Sequence, residues 1–310
     1  MSSQRILREA FQNKLPLINR GTYLRTMSLD WVMEEFTKNA ADERVQIISL
    51  GSGMDTRSFT MLKKYKNMTY HEIDFPESTR IKKLAITNNQ QLSQIVNTKH
   101  VTVEINSAQG FQRVNCDLHT SNYHLYGRDL RQVEEYSTLL KDFDHKVPTL
   151  VLSECCLCYL PMEDNERLIT KFREMSPDLL GFLIYEPMAL GDNFGKTMKS
   201  NLQKGKGIKL PTFESLPDLD VRLSFLRDTC GFENIRLTDL SYVGGYSKPT
   251  NKGGWIEFKE LYRISRLEWI DEVEEITLLL KHYCLCYGEY TNGVMKFEES
   301  DPKEYRWIKS

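Results

Sequence analysis

Val45-Gln46-Ile47-Ile48-Ser49-Leu50-Gly51-Ser52-Gly53 is the stretch on which the reading of this chain turns. Its first six residues form a short β-rich run that ends on glycine, and Asp55–Lys64 beyond it can form a helix. Before it, Tyr23–Lys38 shows helical periodicity up to the polar turn Asn39–Arg44. After it, strand Thr69–Ile73 ends at Asp74, and Glu77–Ala85 reads as a helix. Gln112–Cys116, ending at Asp117, is a weaker third strand. Pro148–Ser153 is a fourth, with helix Glu163–Met175 after it, and Leu180–Tyr185 is a fifth. Strands alternating with helices call for right-handed crossovers and an α/β fold, with a mostly parallel, doubly wound sheet.

The C-terminal third departs from this rhythm. Ala189–Pro211 is polar and basic and reads as an insertion, with Lys196, Lys199, Lys204, Lys206 and Lys209 either solvated or attracting an acidic partner surface. Val221–Thr229 is helical and stopped by Gly231, Ser241–Gly254 is a long loop, and Trp269–Leu280 is an amphipathic helix. His282–Tyr287 is a last strand, expected to be antiparallel. The expected organisation is a single domain over 1–310, with a helical N-terminal cap at 1–40 and a substrate-side insertion at 189–220.

The chain has 310 residues, 40% of them hydrophobic and 27% charged, which suits one packed domain. Lys and Arg number 41 against 43 Asp and Glu, and this near balance disfavours generic DNA or RNA binding. The longest apolar run, Leu179–Tyr185, is far short of a membrane span, and Met1–Arg5 carries no segment suited to a signal peptide. Five of the seven cysteines lie in apolar runs and the count is odd, so thiols in a reducing, cytoplasmic compartment are expected. Cys155-Cys156-Leu157-Cys158 invites a metal reading, but only the distant Cys284, Cys286 and His282 could supply the second ligand pair a zinc site needs. Small buried hydrophobes account for these cysteines better, and no metal is expected. A monomer is expected.

An isolated Gly51-x-Gly53 fits an ordinary tight turn as well as a ligand loop at the carboxyl edge of a sheet. Asp74 lies at the end of the next strand, where a carboxylate can accept from both hydroxyls of a ribose, although a helix N-cap explains it too. A dinucleotide enzyme shows the same acid but usually a third glycine. Here Met54, Asp55 and Thr56 follow, and Asp55 would repel a pyrophosphate. A nucleoside without phosphates, such as S-adenosyl-L-methionine, fits better. Asp117 and Leu118 suit the exocyclic amine and face of an adenine, and Glu154 stands near the reacting end of such a ligand.

The block Leu50-Gly51-Ser52-Gly53-Met54-Asp55-Thr56-Arg57 resembles the cofactor loop of the leucine carboxyl methyltransferases. So do the segments Pro16–Thr26, Ser153–Tyr159, Asp192–Met198 and His282–Cys286, and the combination is far more specific than the glycine loop alone. The resemblance implies a Rossmann-like class I methyltransferase fold and methyl transfer from S-adenosyl-L-methionine, leaving S-adenosyl-L-homocysteine. It implies, as acceptor, the α-carboxylate of the C-terminal leucine of the protein phosphatase 2A catalytic subunit. Carried over by position, Arg25, Gly51, Asp74, Asp117, Leu118 and Glu154 bind the cofactor, with Gly53 in the same loop, and Tyr185 faces the acceptor carboxylate. Arg25 is also expected to orient carboxylates during transfer, while a surface salt bridge for Arg25 and a buried strand position for Tyr185 stay open. Two other functions fit the same pattern: carboxyl methylation of a hypermodified tRNA base, and a non-catalytic binding module.

Overall fold

Pro16 starts helix α1 (Pro16–Asn39), since proline at the first helical position gives up no intrahelical hydrogen bond. The computed structural model describes residues 15–40, 44–105, 107–135, 140–175, 178–247, 254–292 and 307–308. Leu24, Met27, Val32 and Phe36 recur at helical spacing along α1 and are all buried. The periodicity placed its turns from Tyr23 onward in a helix, and residues 1–14 of the helical cap expected over 1–40 lie outside the described residues.

Strand β1 (Val45–Leu50) is buried at every position, as a strand covered on both faces must be. Helix α2 (Arg57–Lys64), strand β2 (Met68–Asp74), helix α3 (Pro76–Thr87) and helix α4 (Gln90–Ile95) follow. The strand expected over Gln112–Cys116 is not there. Ser107 accepts from the Gly110 N–H at 3.0 Å and opens helix α5 (Ala108–Arg113) instead. The reason is burial: residues 112–116 are half-buried or exposed and offer no apolar face to a sheet. After the two-residue strand β3 (Leu118–His119), the third parallel strand is β4 (Tyr123–Gly127), buried throughout. Asp117 therefore precedes an edge strand and does not end a parallel one.

Strand β5 (Thr149–Glu154), helix α6 (Met162–Glu174) and strand β6 (Leu179–Pro187) match the expected order. The basic insertion contains helix α7 (Asn193–Lys206), whose N-cap Asp192 accepts from the Gly195 N–H at 2.8 Å. Helices α8 (Pro211–Ser215) and α9 (Leu219–Ser224) follow, the latter running into one π-helical turn, Phe225–Thr229. Strand β7 (Asn234–Asp239) had no counterpart in the sequence reading. Part of the expected long loop is the single-turn helix α10 (Leu240–Val243), and its residues 248–253 lie outside the described residues. Helix α11 (Phe258–Ser265) was also missed, and α12 (Val273–Lys281) starts beyond Trp269, whose ring is exposed. Strand β8 (Tyr283–Thr291) closes the fold.

Among the described residues, eight strands form one sheet in the order β3-β4-β2-β1-β5-β6-β8-β7. β4, β2, β1, β5 and β6 are parallel, and β8 runs antiparallel between β6 and β7. One core packs α1, α2, α10 and α12 on one face of the sheet, and a second packs α6 and α9 on the other. Gly181 of β6 makes room for α1, because a Cβ there would stand 2.9 Å from the Phe36 ring. Among the described residues no helix is long and apolar enough to cross a membrane.

At the β2–β4 edge, the rings of His71 and His124 stack at 4.8 Å with no exposed surface, and His119 lies 5.5 Å from His124. His71 faces the Tyr126 hydroxyl at 3.2 Å, while His124 faces the Asp142 carboxylate at 3.6 Å, with Lys141 nearby. Burial holds His71 well below its ordinary 6.5 and lowers His124 to about 4. The unfolded chain binds these protons more readily than the fold, so stability is complete above about pH 6.5 and falls towards pH 4. Urea midpoints measured from pH 7 to pH 4.5 are expected to decline, and His124→Phe is expected to flatten that decline. An unchanged slope in the variant would remove His124 from the account.

Candidate active site

The carboxyl ends of β1, β2 and β5 meet at one rim, and the backbone there is forced through unusual turns. Gly51 (φ +60°) donates its N–H to the Ile73 carbonyl at 2.8 Å, which turns the chain sharply off β1. A Cβ on Gly51 would stand 2.5 Å from Cys156 Sγ, so only glycine lets this loop pass the β5 turn. Gly53 (φ +47°) donates to Asp74 Oδ2 at 2.6 Å, and the other oxygen of Asp74 accepts from the Phe75 N–H. Cys155 also has positive φ, +49°, and is fixed by its N–H to the Tyr185 carbonyl at 2.8 Å. Between these turns lies a cleft of about 340 Å³, whose walls include Gly51, Asp74, Phe75, Leu130, Cys156 and Tyr159. A larger cavity of about 820 Å³ opens at the opposite rim by Arg44, Lys66 and Gln94 and touches none of these residues. Position at the strands' carboxyl ends, rather than size, makes the smaller one the candidate site.

The acids and bases beside the cleft are tied together. Arg57, the first residue of α2, pairs with Asp30 of α1 at 2.6 Å, Asp55 at 2.8 Å and Glu154 Oε2 at 2.6 Å. The other Glu154 oxygen accepts from Arg25 Nε, and the Arg25 guanidinium lies 5.1 Å from the centre of the Tyr185 ring. Tyr185 in turn stacks on Tyr283 at 5.7 Å. Burial opposes the Arg57 charge, but the Asp55, Glu154 and Asp30 carboxylates outweigh it and raise the pKa further. Burial pushes the Cys155 thiol up to about 12 and the Tyr185 hydroxyl well above 10, so both are neutral at physiological pH.

The structure thus brings Gly51 and Asp74 to the cleft wall with Gly53 held on Asp74, and gathers Arg25, Glu154 and Tyr185 behind the Cys155 turn that borders it, none of these three among its lining residues. Asp117 stands further off. Its carboxylate takes the Gly127 N–H at 2.8 Å and a bidentate pair from Arg128, and it reaches the cleft only through Arg128. Burial alone would raise the Asp117 pKa, yet Gly127 and Arg128 hold it below the usual range. Leu118 is half-buried against the core. Arg57, Asp30, Arg128 and Tyr283 escaped the sequence reading. Arg57 left one trace: a cation in the first turn of a helix opposes the helix dipole unless carboxylates face it. The early Asn19-Arg20 pair holds α1 to the C-terminal layer, Asn19 to Glu268 at 2.6 Å and Arg20 to the Tyr246 hydroxyl at 2.6 Å.

The family pattern described as leucine carboxyl methyltransferase matches residues 2–173. A leucine carboxyl methyltransferase 1 from Candida albicans is 48% identical over all of this chain and 84% of its own length. Its namesake from Bos taurus is 30% identical over 92% of this chain and 81% of its own. Among solved structures, a putative methyltransferase from Thermobifida fusca shares the fold, with a TM-score of 0.52 at 10% identity over 94% of this chain and 89% of that one.

Two glycine substitutions separate backbone strain from crowding at the cleft. Gly53→Ala meets open space and is expected to cost only the positive φ, about 1–2 kcal/mol. Gly51→Ala adds the collision with Cys156 and is expected to cost more in urea unfolding, part of it returned by Cys156→Ala in the same chain. Equal costs for the two glycines would contradict the geometry.

Proposed function

The chain belongs to the leucine carboxyl methyltransferase family, and on that premise we propose that it methylates the α-carboxylate of a protein's C-terminal leucine. We propose as acceptor the C-terminal tail of the protein phosphatase 2A catalytic subunit, and the cytoplasm as the compartment. The observation that supports this most directly is the Arg25–Glu154 pair beside the Gly51 turn. It sets one cation and one anion side by side, matching the carboxylate and ammonium at the methionine end of S-adenosyl-L-methionine. That cofactor supplies a methyl group already activated by its sulfonium. Gly51, Gly53 and Asp74 would take the ribose end, with Asp117 and Leu118 towards the base.

The acceptor needs no general base, because a chain-terminal carboxyl has a pKa near ~3.5 and is ionised at neutral pH. The protein's task is alignment and exclusion of water, holding nucleophile and methyl carbon about 3–3.5 Å apart. Arg25 would orient carboxylates. Tyr185 stays protonated and offers a neutral hydrogen bond, which steers the acceptor oxygen without the tight ion pairing that would blunt it. Burial keeps the Cys155 thiol protonated, which makes it a poor nucleophile towards the methyl group.

Asp74→Ala is expected to weaken S-adenosyl-L-methionine binding by at least ~1 kcal/mol in calorimetry, from lost hydrogen bonds to the ribose. With labelled cofactor, the phosphatase catalytic subunit is expected to take up label and an acceptor amidated at its C-terminus none. Turnover of the amidated acceptor, or label entering only tRNA, would overturn the proposed reaction. Tyr185→Phe is expected to lower kcat about three- to tenfold, the effect of one neutral hydrogen bond.

A further inference from the structure

We propose that Arg57 is a positioning residue for this reaction, which acts through Glu154 to aim the Arg25–Glu154 pair at the cofactor. The inference rests on the reading that this pair holds the cofactor's methionine end. Arg57 itself is buried, with 8% of its surface exposed, and faces the carboxylates and not the cleft. Its Nε takes Asp30 of α1, and one terminal nitrogen takes both Asp55 of the loop and Glu154 Oε2 of β5. A planar guanidinium holding one oxygen of a carboxylate also sets the direction of the other. Here that other oxygen, Oε1, is the one on Arg25, whose side chain is partly exposed at 37%. The tether therefore runs from the buried Arg57 to the partly exposed guanidinium of Arg25.

The charges lead to the same role. Arg25 and Arg57 together face Asp30, Asp55 and Glu154. Without Arg57, Asp30 and Asp55 lose the guanidinium they share, Arg25 reaches only Glu154, and Glu154 loses the partner that keeps it from turning. A cation at the start of α2 opposes the helix dipole, so its position is not explained by helix formation. The position is explained by what it holds. A purely structural tie between α1 and β5 would give the same contacts but would have no influence on ligand affinity through Glu154.

The test is a double-mutant cycle on the full chain, read by calorimetry with S-adenosyl-L-homocysteine and by methyl-transfer kinetics, with thermal unfolding measured on every variant. Arg57→Gln is expected to weaken binding about tenfold, and Glu154→Gln at least as much. The double variant is expected to bind no more weakly than Glu154→Gln alone, since Arg57 then has nothing left to act through. Arg57→Gln should raise KM for the cofactor while kcat at saturating cofactor stays within about threefold, the pattern of lost binding without lost chemistry. Arg57→Lys should restore part of the affinity, as a point charge cannot span the same carboxylates. If Arg57→Gln does not fold, the same cycle is run with Arg57→Lys. Wild-type affinity in the Arg57 variant, or losses that multiply in the double variant, would overturn the positioning role alone. Failure of the unaltered chain to bind S-adenosyl-L-homocysteine would overturn the cofactor reading itself.

Discussion

A guanidinium taken out of water must be surrounded by carboxylates, and at Arg57 this requirement joins three separate parts of the chain. Asp30 comes from the middle of α1, Asp55 from the loop after β1 and Glu154 from the end of β5. Breaking a buried ion pair by removing one partner costs about 3–5 kcal/mol, because the remaining charge is stranded. The β1 loop therefore cannot move without moving α1 and β5. The rim of the sheet is held rigid where ligand geometry matters most.

Two further buried pairs support the same rim from below. Lys82 of α3 joins Glu72 of β2 at 2.5 Å and also reaches the Asp55 carbonyl at 2.8 Å, so it braces the loop that carries Asp55. Tyr123 of β4 donates to the same Glu72 at 2.8 Å. On the other side Arg222 of α9 joins Glu186 of β6 at 2.9 Å and the Pro187 carbonyl at 3.1 Å, directly after Tyr185. Each pair fixes the backbone next to a residue of the site. The Tyr185 hydroxyl and the Cys155 thiol, which border this network, are by contrast neutral.

Periodicity and end residues were enough to read β1, β2, β5, β6 and helices α2, α3 and α6, but not α4 or α5, because long apolar strands covered on both faces leave a dense local signal. Gly51, Gly53, Asp74 and Glu154 were legible for the same reason, each closing or following such a strand. β4 was not. It has five residues, two of them tyrosines and one a histidine, and its burial comes from β2 beside it and from residues packed over its end. At Gly127 a Cβ would stand 2.7 Å from Cys116, so the turn before β3 lies directly on β4. Asp117 thus sits beside β4 through a hairpin and not at a strand end.

The amino-acid sequence alone determined the class of fold, the glycine turn and the order in which acids follow the strands. These are properties of neighbouring residues, set by backbone sterics and by the burial of apolar runs. Which charges face one another was decided only in three dimensions. Arg57 with Asp30 and Glu154, Arg128 with Asp117, and Arg25 over Tyr185 lie 27, 97, 11 and 160 positions apart, taken in that order, in the chain. An ion pair between distant residues leaves no local pattern, because its energy exists only once the packed sheet has brought both charges to a site where water no longer separates them.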